Sequence, residues 1–351
     1  MRWPWQRKSS QDQLIVSWSA GTLAYARAPV NSEGLFAVQQ MGVEHQGNDS
    51  LEDFVRRLQS LGLKGMVAHA MLRPEQYQLL QIDAPPVAPE ELRAAARFQI
   101  REMVNVHIDD ITLDVMQVGD GQQKGPNNLF VVAAKNEVVR DVIALGDAMH
   151  WKVSVIDIQE NAQRNLQSAL AKQEGRLERA DAALLITDEQ QAVLTISANE
   201  ELFFTRRLDL PQGFLTMPWG VAHEAPAEAP PDAFTPVSEY VPAYAGGGTS
   251  GATPTADQDG TDRVQRFLVE VQRSLDLWDR AWSSMPLAGL RVYAGERSAE
   301  LATWLSREMG QVVSAIDLEV QFPGLQAVAM ADQIYCLPLL GVLLRTETRK
   351  L

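Results

Sequence analysis

One pattern occurs twice along this chain and limits its fold more than any other feature. Three short strand-like segments follow one another, and amphipathic helices and further strands come after them. The three segments are predicted at 14–18, 23–27 and 35–43 in the first half, and at 182–187, 192–197 and 202–208 in the second. A chain of 351 residues exceeds the size at which one hydrophobic core keeps growing. The sequence therefore predicts a duplicated α/β architecture with two lobes.

A smaller unit interrupts the first half. Residues 66–155 alternate strands and helices in a βαββα-type order. One of its helices is predicted to begin at Pro89, because proline fits the first helical position and two glutamates follow it in the first turn. We expect an inserted small domain here.

The second half contains an acidic stretch without apolar periodicity. Residues 216–260 are rich in Pro, Ala, Gly and Thr, and seven acidic residues but no Lys or Arg lie between Thr216 and Asp262. Such a composition buries too little apolar surface to offset the entropy of ordering it. The stretch is predicted to be a long disordered insertion. Its Gly246–Gly251 run lacks the Gly-Lys-Ser/Thr and preceding strand of a phosphate-binding loop.

These observations divide the chain into lobes and insertions. The predicted map is 1–65 for the first part of the first lobe, 66–155 for the inserted domain, 156–180 for a return to the first lobe, 181–215 and 261–320 for the second lobe, 216–260 for the linker, and 321–351 for a C-terminal return to the first lobe.

Composition excludes several classes of function. The net charge of −14 argues against sequence-independent binding to nucleic acid, which depends on Lys and Arg neutralising phosphates. The single cysteine, Cys336, excludes an internal disulfide and a multi-cysteine metal site. The longest apolar run, Ile334 to Leu344, is shorter than the roughly 18 to 20 residues of a spanning helix. With no secretory signal pattern at the start, a cytoplasmic protein is expected.

Few other residues indicate a catalytic or metal-binding site. The five histidines share no helical or zinc-ligand spacing, and no Gly-x-Ser-x-Gly motif occurs. Asp109 and Asp110 are adjacent carboxylates that we interpret as a solvated turn rather than a general acid pair. Arg93, Arg97 and Arg101 recur every four residues and form one basic stripe on the helix after Pro89. The stripe is either a solvated helix face or a binding surface for a partner.

Four segments carry a resemblance to a known family. They are PEELRAAARFQIREMVNVHIDDITLDVMQVG (89–119), VSVIDIQENAQRN (153–165), VQRSLDLWDR (271–280) and LPLLGVLLR (337–345). Together with the duplicated pattern, they resemble the FtsA/PilM branch of the actin-like ATPases, and within it the PilM/MshI family of type IV pilus assembly proteins. The resemblance implies an actin-like (ribonuclease H-like) duplicated fold with its small insertion in the first half.

The resemblance also implies where a nucleotide site would lie, and the residues there depart from it. The Asp-x-Gly of the first phosphate turn corresponds to Ser17 and Ser19. In the second phosphate turn, Asp188 replaces the glycine and adds negative charge where phosphate would approach. Of the glycine-rich adenosine turn only Gly295 remains, followed by Glu296. We therefore expect no cofactor and no catalytic or metal-binding residue, with ATP disfavoured.

The expected function is that of a non-catalytic scaffold in type IV pilus assembly, of the MSHA kind. The resemblance implies a partner, the cytoplasmic N-terminal tail of a PilN-like inner-membrane assembly protein. We expect this tail to dock where the first lobe meets the inserted domain, and the protein to lie at the inner membrane only through that partner. The alternative is an ATP-binding switch in the same assembly machine.

Overall fold

The computed structural model describes residues 12–29, 36–119, 127–186, 188–219, 256–319 and 321–346. The strands are β1 (Asp12–Ser19), β2 (Thr22–Pro29), β3 (Gln40–His45), β4 (Val67–Leu72), β5 (Tyr77–Asp83), β6 (Ile111–Gln117), β7 (Asn128–Lys135), β8 (Lys152–Ile158), β9 (Ala180–Ile186), β10 (Gln191–Ala198), β11 (Glu201–Asp209), β12 (Leu287–Tyr293) and β13 (Val313–Ala315). The helices are α1 (Leu51–Ser60), α2 (Leu92–Gln99), α3 (Asn136–Ala148), α4 (Gln159–Gln173), α5 (Ala256–Ala281), α6 (Ser298–Met309) and α7 (Met330–Leu343).

The two lobes repeat one sheet topology. The first-lobe sheet has the order β3-β2-β1-β4-β8, and the second-lobe sheet has the order β11-β10-β9-β12-β13. In each sheet the first three strands form an antiparallel meander, and the last two run parallel to the central strand. The predicted duplicated α/β architecture is therefore confirmed.

Local sequence explains the meander turns. Ser19 pairs with Thr22, which leaves a two-residue turn at Ala20 and Gly21 with φ of 48° and 75°. Positive φ at both positions matches the right-handed twist of the flanking strands. The same geometry recurs between β10 and β11, so each meander closes by local turn chemistry.

A layer of two helices joins the lobes. α4 and α7 follow the last strand of each sheet, pack on each other, and lie between the two sheets. Contact is so close at Gly341 that an added Cβ would come within 2.0 Å of the carbonyl oxygen of Ala162. The apolar core of this layer includes Ile15 from β1 and Ala183 from β9. The lobes therefore share one buried core.

The inserted domain is smaller than the predicted span of 66–155. β4 and β8 both pair within the first-lobe sheet, and the buried side of α3 contributes Val142 and Leu145 to the first-lobe core. The separate unit is the three-stranded sheet β5-β7-β6 with α2 packed on it. The sequence analysis assigned β4 and β8 to the insertion because strand periodicity does not reveal which sheet a strand joins.

The inserted domain also contacts the second lobe. The backbone N–H of Gly119 donates to the carbonyl of Leu202 at 2.9 Å, and an added Cβ at Gly119 would come within 2.4 Å of the Phe203 ring. Val118, Phe130 and Leu202 form a small apolar cluster at this contact. The insertion thus bridges the two lobes.

The ends of the predicted linker differ from the structure where they are described. Trp219, placed in the linker from sequence, is 1% exposed and packs against Phe214 and Trp304 in the second-lobe core. α5 already begins at Ala256. Residues 220–255 of the linker lie outside the described residues, as do the first 11 residues of the chain. A single tryptophan in a Pro-rich context gave no periodic signal for its burial.

Candidate functional site

The first of the three family-implied turns ends β1. The hydroxyl of Ser17 is fully buried and has no hydrogen-bond partner among the described residues. The hydroxyl of Ser19 donates to the carboxylate of Glu75 at 2.8 Å. The turn itself therefore offers two serine hydroxyls in place of the aspartate and glycine, and the Glu75 carboxylate that binds one of them comes from the segment before β5.

The second turn joins β9 to β10. The Asp188 carboxylate accepts hydrogen bonds from the backbone N–H groups of Gln190 at 2.7 Å and Gln191 at 2.8 Å. Turns that bind phosphate use such N–H groups for the anion. Here the protein's own carboxylate occupies them, so the turn is satisfied without a ligand.

The third turn leads from β12 into α6. Gly295 keeps a left-handed φ of 61°, and Glu296 is exposed. The guanidinium of Arg297 stacks 4.0 Å from the ring centroid of Trp219 and donates to the carbonyls of Leu215 and Met217. Arg297 thus holds the segment after β11 against the second lobe.

Between the first two turns lies a cleft of about 400 Å³ at the junction of the lobes. Arg73 is 6% exposed, and its guanidinium lies 3.6 Å from the ring centroid of Tyr335. Burial lowers the pKa of Arg73 and raises that of Tyr335. Gln159 is 1% exposed, and neither atom of its amide has a partner among the described residues.

The charges in this cleft do not fit a triphosphate. Glu75, Asp188 and Glu189 face one guanidinium, that of Arg73. Carboxylates repel a polyanion strongly at short range in a partly enclosed site. The charge of the cleft therefore opposes a triphosphate at the first two turns.

A buried cluster ties the lobes together beside the cleft. The Arg207 guanidinium of β11 forms a salt bridge with Glu160 of α4 at 3.0 Å and donates to the carbonyl of Pro74 at 2.5 Å. It also stacks on the ring of Tyr77, whose hydroxyl donates to Glu160. Burial, together with the Glu160 charge, raises the pKa of Tyr77 well above its usual value. We call these three residues the interlobe clamp.

A second depression lies where the first lobe meets the inserted domain. We call it the junction groove, and its volume is about 510 Å³. Four separate parts of the chain line it: the β1–β2 turn, the segment before β5, the connection from α2 to β6, and the start of α3. Trp18, Val106 and Val138 give it apolar walls, with Lys135 and Asp141 at its charged side. The sequence predicted a groove at this junction but not its residues, because they are far apart in the chain.

The basic stripe lies elsewhere on the inserted domain. Arg93 forms a salt bridge with Asp114 at 2.9 Å, and Arg97 donates to the carbonyls of Ile108 and Ile111 at 2.6 and 3.0 Å. Arg101 is exposed. None of the three lines the junction groove. Arg97 holds the turn that contains Asp109 onto α2, a structural contact that its spacing in the sequence does not reveal.

Two further properties concern the described part of the chain. None of its helices combines the length and apolarity that crossing a bilayer requires. Nor do its His, Cys, Asp and Glu side chains form a group of three that could hold a metal ion.

Comparison with solved structures identifies similar folds. The chain aligns with the "PilM-PilN type IV pilus biogenesis complex" at a TM-score of 0.61 and 14% identity, covering 95% of this chain and 98% of that one. An actin-like ATPase fold protein of unknown function from Bacteroides thetaiotaomicron aligns at a TM-score of 0.45 and 8% identity, over 90% and 95% of the two chains. The cytoplasmic domain of EpsL, an inner-membrane component of the Vibrio cholerae type II secretion system, aligns at 0.40 and 14% identity, over 61% and 78%.

No protein-family model and no curated protein matches the sequence. The near-complete overlap with the first of these structures and the duplicated five-stranded sheets establish the fold. The protein has an actin-like fold, as predicted.

Proposed function

We propose that this protein is a non-catalytic scaffold in the assembly of a type IV pilus, and that it acts by binding the cytoplasmic tail of an inner-membrane assembly protein. The observation that carries the proposal is the junction groove, an open apolar-walled channel between the first lobe and the inserted domain. A structure similar to this chain over 95% of its length is described as a complex of PilM with PilN. A PilN-like tail is therefore the proposed occupant, and a pilus of the MSHA type the proposed setting.

The groove suits an extended peptide for physical reasons. Val106 and Val138 offer apolar contacts, and the Lys135 ammonium and Asp141 carboxylate add one charge of each sign to the lining. Peptide grooves commonly combine side-chain pockets with polar groups that set direction. Recruitment through such a tail would place the protein at the cytoplasmic face of the inner membrane.

The charge of the cleft also supports the scaffold proposal, because it opposes nucleotide binding. Asp188 occupies the backbone donors of the second turn, and three carboxylates line the cleft. The alternative is an ATP-dependent switch, and the buried, unpartnered amide of Gln159 in the cleft is the observation in its favour. We favour the scaffold because the charge of the cleft opposes a triphosphate.

The test is a fluorescence titration with synthetic cytoplasmic tails of the bitopic inner-membrane proteins encoded beside this one. Val138→Asp places a carboxylate in the groove wall and should weaken binding about tenfold or more, equivalent to about 1.4 kcal/mol. Val269→Asp is the control for the added carboxylate, because Val269 is an exposed valine on α5 that does not line the groove. Arg97→Glu tests the basic stripe separately.

Trp18 offers a direct readout, since it lines the groove. Loss of the titration signal in Trp18→Phe, with binding retained by calorimetry, would place the peptide there. If the peptide bound the parent protein and Val138→Asp with equal affinity, the junction groove would not be its binding site. Failure of every tail to bind would reject the recruitment proposal.

A further inference from the structure

The helix of the inserted domain presents an aromatic side chain to solvent. Its inward side is buried, since Ala96 and Ile100 are both 0% exposed and lie in a core with the strands of the three-stranded sheet. Phe98 lies between them in the sequence and is 78% exposed. Aromatic side chains are enriched among the residues that dominate protein interfaces. Phe98 therefore marks a candidate interaction surface.

Four exposed residues on the outward side of this helix follow a heptad spacing. They are Glu91, Ala94, Phe98 and Arg101, at intervals of three, four and three residues. Short 3-10 turns precede and follow α2, so helical turns continue from residue 89 to residue 102. This spacing places the four residues in one line along the helix. We call them the α2 seam.

The α2 seam is complementary to a second copy of itself that runs antiparallel. With a twofold axis midway between Ala94 and Phe98, each Phe98 faces the small Ala94 of the other copy. Each Arg101 then faces Glu91, and such pairs form charge-assisted hydrogen bonds. A large side chain fills the space that a small one leaves, as knobs fill holes in a coiled coil. A parallel, in-register pair would instead place Phe98 beside Phe98 and Arg101 beside Arg101.

We propose that the α2 seam is a self-association surface, on which two copies of this chain pair antiparallel about a twofold axis. A second copy fits because the order of acid, small residue, aromatic and base along the seam is matched by the same order reversed. A lipid surface fits less well, since residues 90, 91 and 102 of this helical stretch are exposed glutamates, which anionic headgroups repel.

The length of the seam sets the expected strength of the dimer. Residues 89–102 extend about 20 Å at about 1.5 Å per residue. Stable interfaces bury about 1,200–2,000 Å² in total, and one pair of helical stretches this short lies at the lower end of that range or below it. We therefore expect a weak dimer that forms at high protein concentration, and that is strengthened where a membrane partner brings several copies together.

A charge exchange across the seam is the main test. Sedimentation equilibrium of the full chain, over a concentration series that reaches the millimolar range, measures the association. Arg101→Glu places two carboxylates opposite each other at both ends of the seam, and Glu91→Arg places two guanidinium groups there. Each substitution should weaken self-association about tenfold or more. An equimolar mixture of the two variants should associate as well as the parent, because every arginine then faces a glutamate. Two variants with folding defects would not restore each other.

The aromatic contact has its own variant. Phe98→Ala should weaken self-association about tenfold or more and leave the melting temperature unchanged, because the ring is exposed in the single chain. Leu277→Ala is the matched control, since Leu277 is an exposed apolar residue on α5 outside the seam. It should leave the association unchanged.

Several outcomes would overturn the proposal. They are a parent chain that stays monomeric throughout the series, association that Arg101→Glu and Phe98→Ala leave intact, or a mixture that associates no better than either charge variant alone. Binding of the parent to anionic vesicles that Phe98→Ala abolishes would assign the seam to a lipid surface instead. None of the four seam residues lines the junction groove, so failure here leaves the proposed tail docking unaffected.

Discussion

The two lobes share a strand order but differ in the connection between their fourth and fifth strands. In the first lobe this connection spans residues 73–151 and carries the inserted domain, whereas in the second lobe it spans 294–312 and carries α6. The shared part is the sheet and the helix that packs into the central layer. The comparison shows that packing between the lobes keeps the sheet and its central helix the same in both. The connection between the fourth and fifth strands lies outside that packing and can carry different elements.

The lobes differ in the polar residue at corresponding positions of their parallel strands, which is half-buried in the first lobe and buried in the second. His69 on β4 lies opposite Ile15, and Arg291 on β12 lies opposite Ala183. Arg291 forms salt bridges with Asp181 at 2.6 Å and Glu174 at 2.7 Å, whereas Nδ1 of His69 has no described partner. The second lobe thus pairs its buried charge, and the first lobe keeps a group that burial disfavours in its charged form.

The largest expected effect comes from the helix layer that both lobes share. Gly341→Ala would drive a methyl group into the Ala162 backbone and separate α4 from α7. We expect a loss of about 3 kcal/mol in the free energy of unfolding, at the upper end for overpacking because backbone cannot move aside. Urea denaturation measures it.

Gly146→Ala is the matched control for that substitution. It also adds a methyl group to a helical glycine, but the atom it meets is the end of the Val153 side chain, at 2.8 Å. The gain in helix propensity, about 1 kcal/mol, offsets part of the cost. Equal destabilisation by both substitutions would show that the α4–α7 contact is not the tight joint between the lobes.

The interlobe clamp should give the next largest effect. Arg207→Met leaves the Glu160 carboxylate, with a side chain only 1% exposed, without its cation. Removing one partner of a buried pair costs about 3–5 kcal/mol, and we expect about 2 kcal/mol because Arg207 is partly exposed. Arg206→Met, on the same strand, breaks a pair that is partly exposed at both ends and should cost about 1 kcal/mol or less. Thermal unfolding measures both losses. A larger loss of stability in Arg206→Met than in Arg207→Met would contradict the role of the clamp.

His69 should produce a smaller, pH-dependent effect in the first lobe alone. Burial lowers its pKa below the ordinary value of 6.5, and the nearby Arg345 charge lowers it further. Above pH 6.5 both folded and unfolded chains hold a neutral imidazole, so the residue contributes no pH dependence there. As the pH falls below that value, the unfolded chain binds the proton first and stability is lost until the folded pKa is reached.

The measurement is the melting temperature of the parent protein and His69→Gln at a series of pH values. The two curves should run parallel above pH 6.5 and converge or cross below it, where only the parent carries the histidine penalty. Parallel curves throughout would show that His69 does not titrate differently in the folded chain.

The smallest expected effect is that of nucleotide. Millimolar magnesium-ATP should not raise the melting temperature, because Asp188 and its neighbouring carboxylates oppose phosphate in the cleft. A ligand at 100 times its dissociation constant would add about 2.7 kcal/mol to native stability. A rise of several degrees would contradict the inactive-site proposal and favour the switch.

Much of the repeated framework follows from the sequence because its interactions are local. Each meander depends on alternating apolar residues and two-residue turns, and α1 begins where Ser50 accepts a hydrogen bond from the Asp53 backbone at 3.1 Å. The resemblance places Ser17 and Ser19 at the end of β1 and Asp188 just after β9, and their role in a nucleotide site stays a prediction.

Tertiary structure alone decided the assignments that depend on distant residues. β4 and β8 join the first-lobe sheet through parallel pairing with strands far away in the chain, so their periodicity placed them wrongly in the insertion. The interlobe clamp and the junction groove likewise assemble side chains from separate elements. Local propensity determines strands, turns and caps because their partners are a few residues away. Sheet membership, buried pairs and grooves depend on packing between distant segments, which a single sequence does not record.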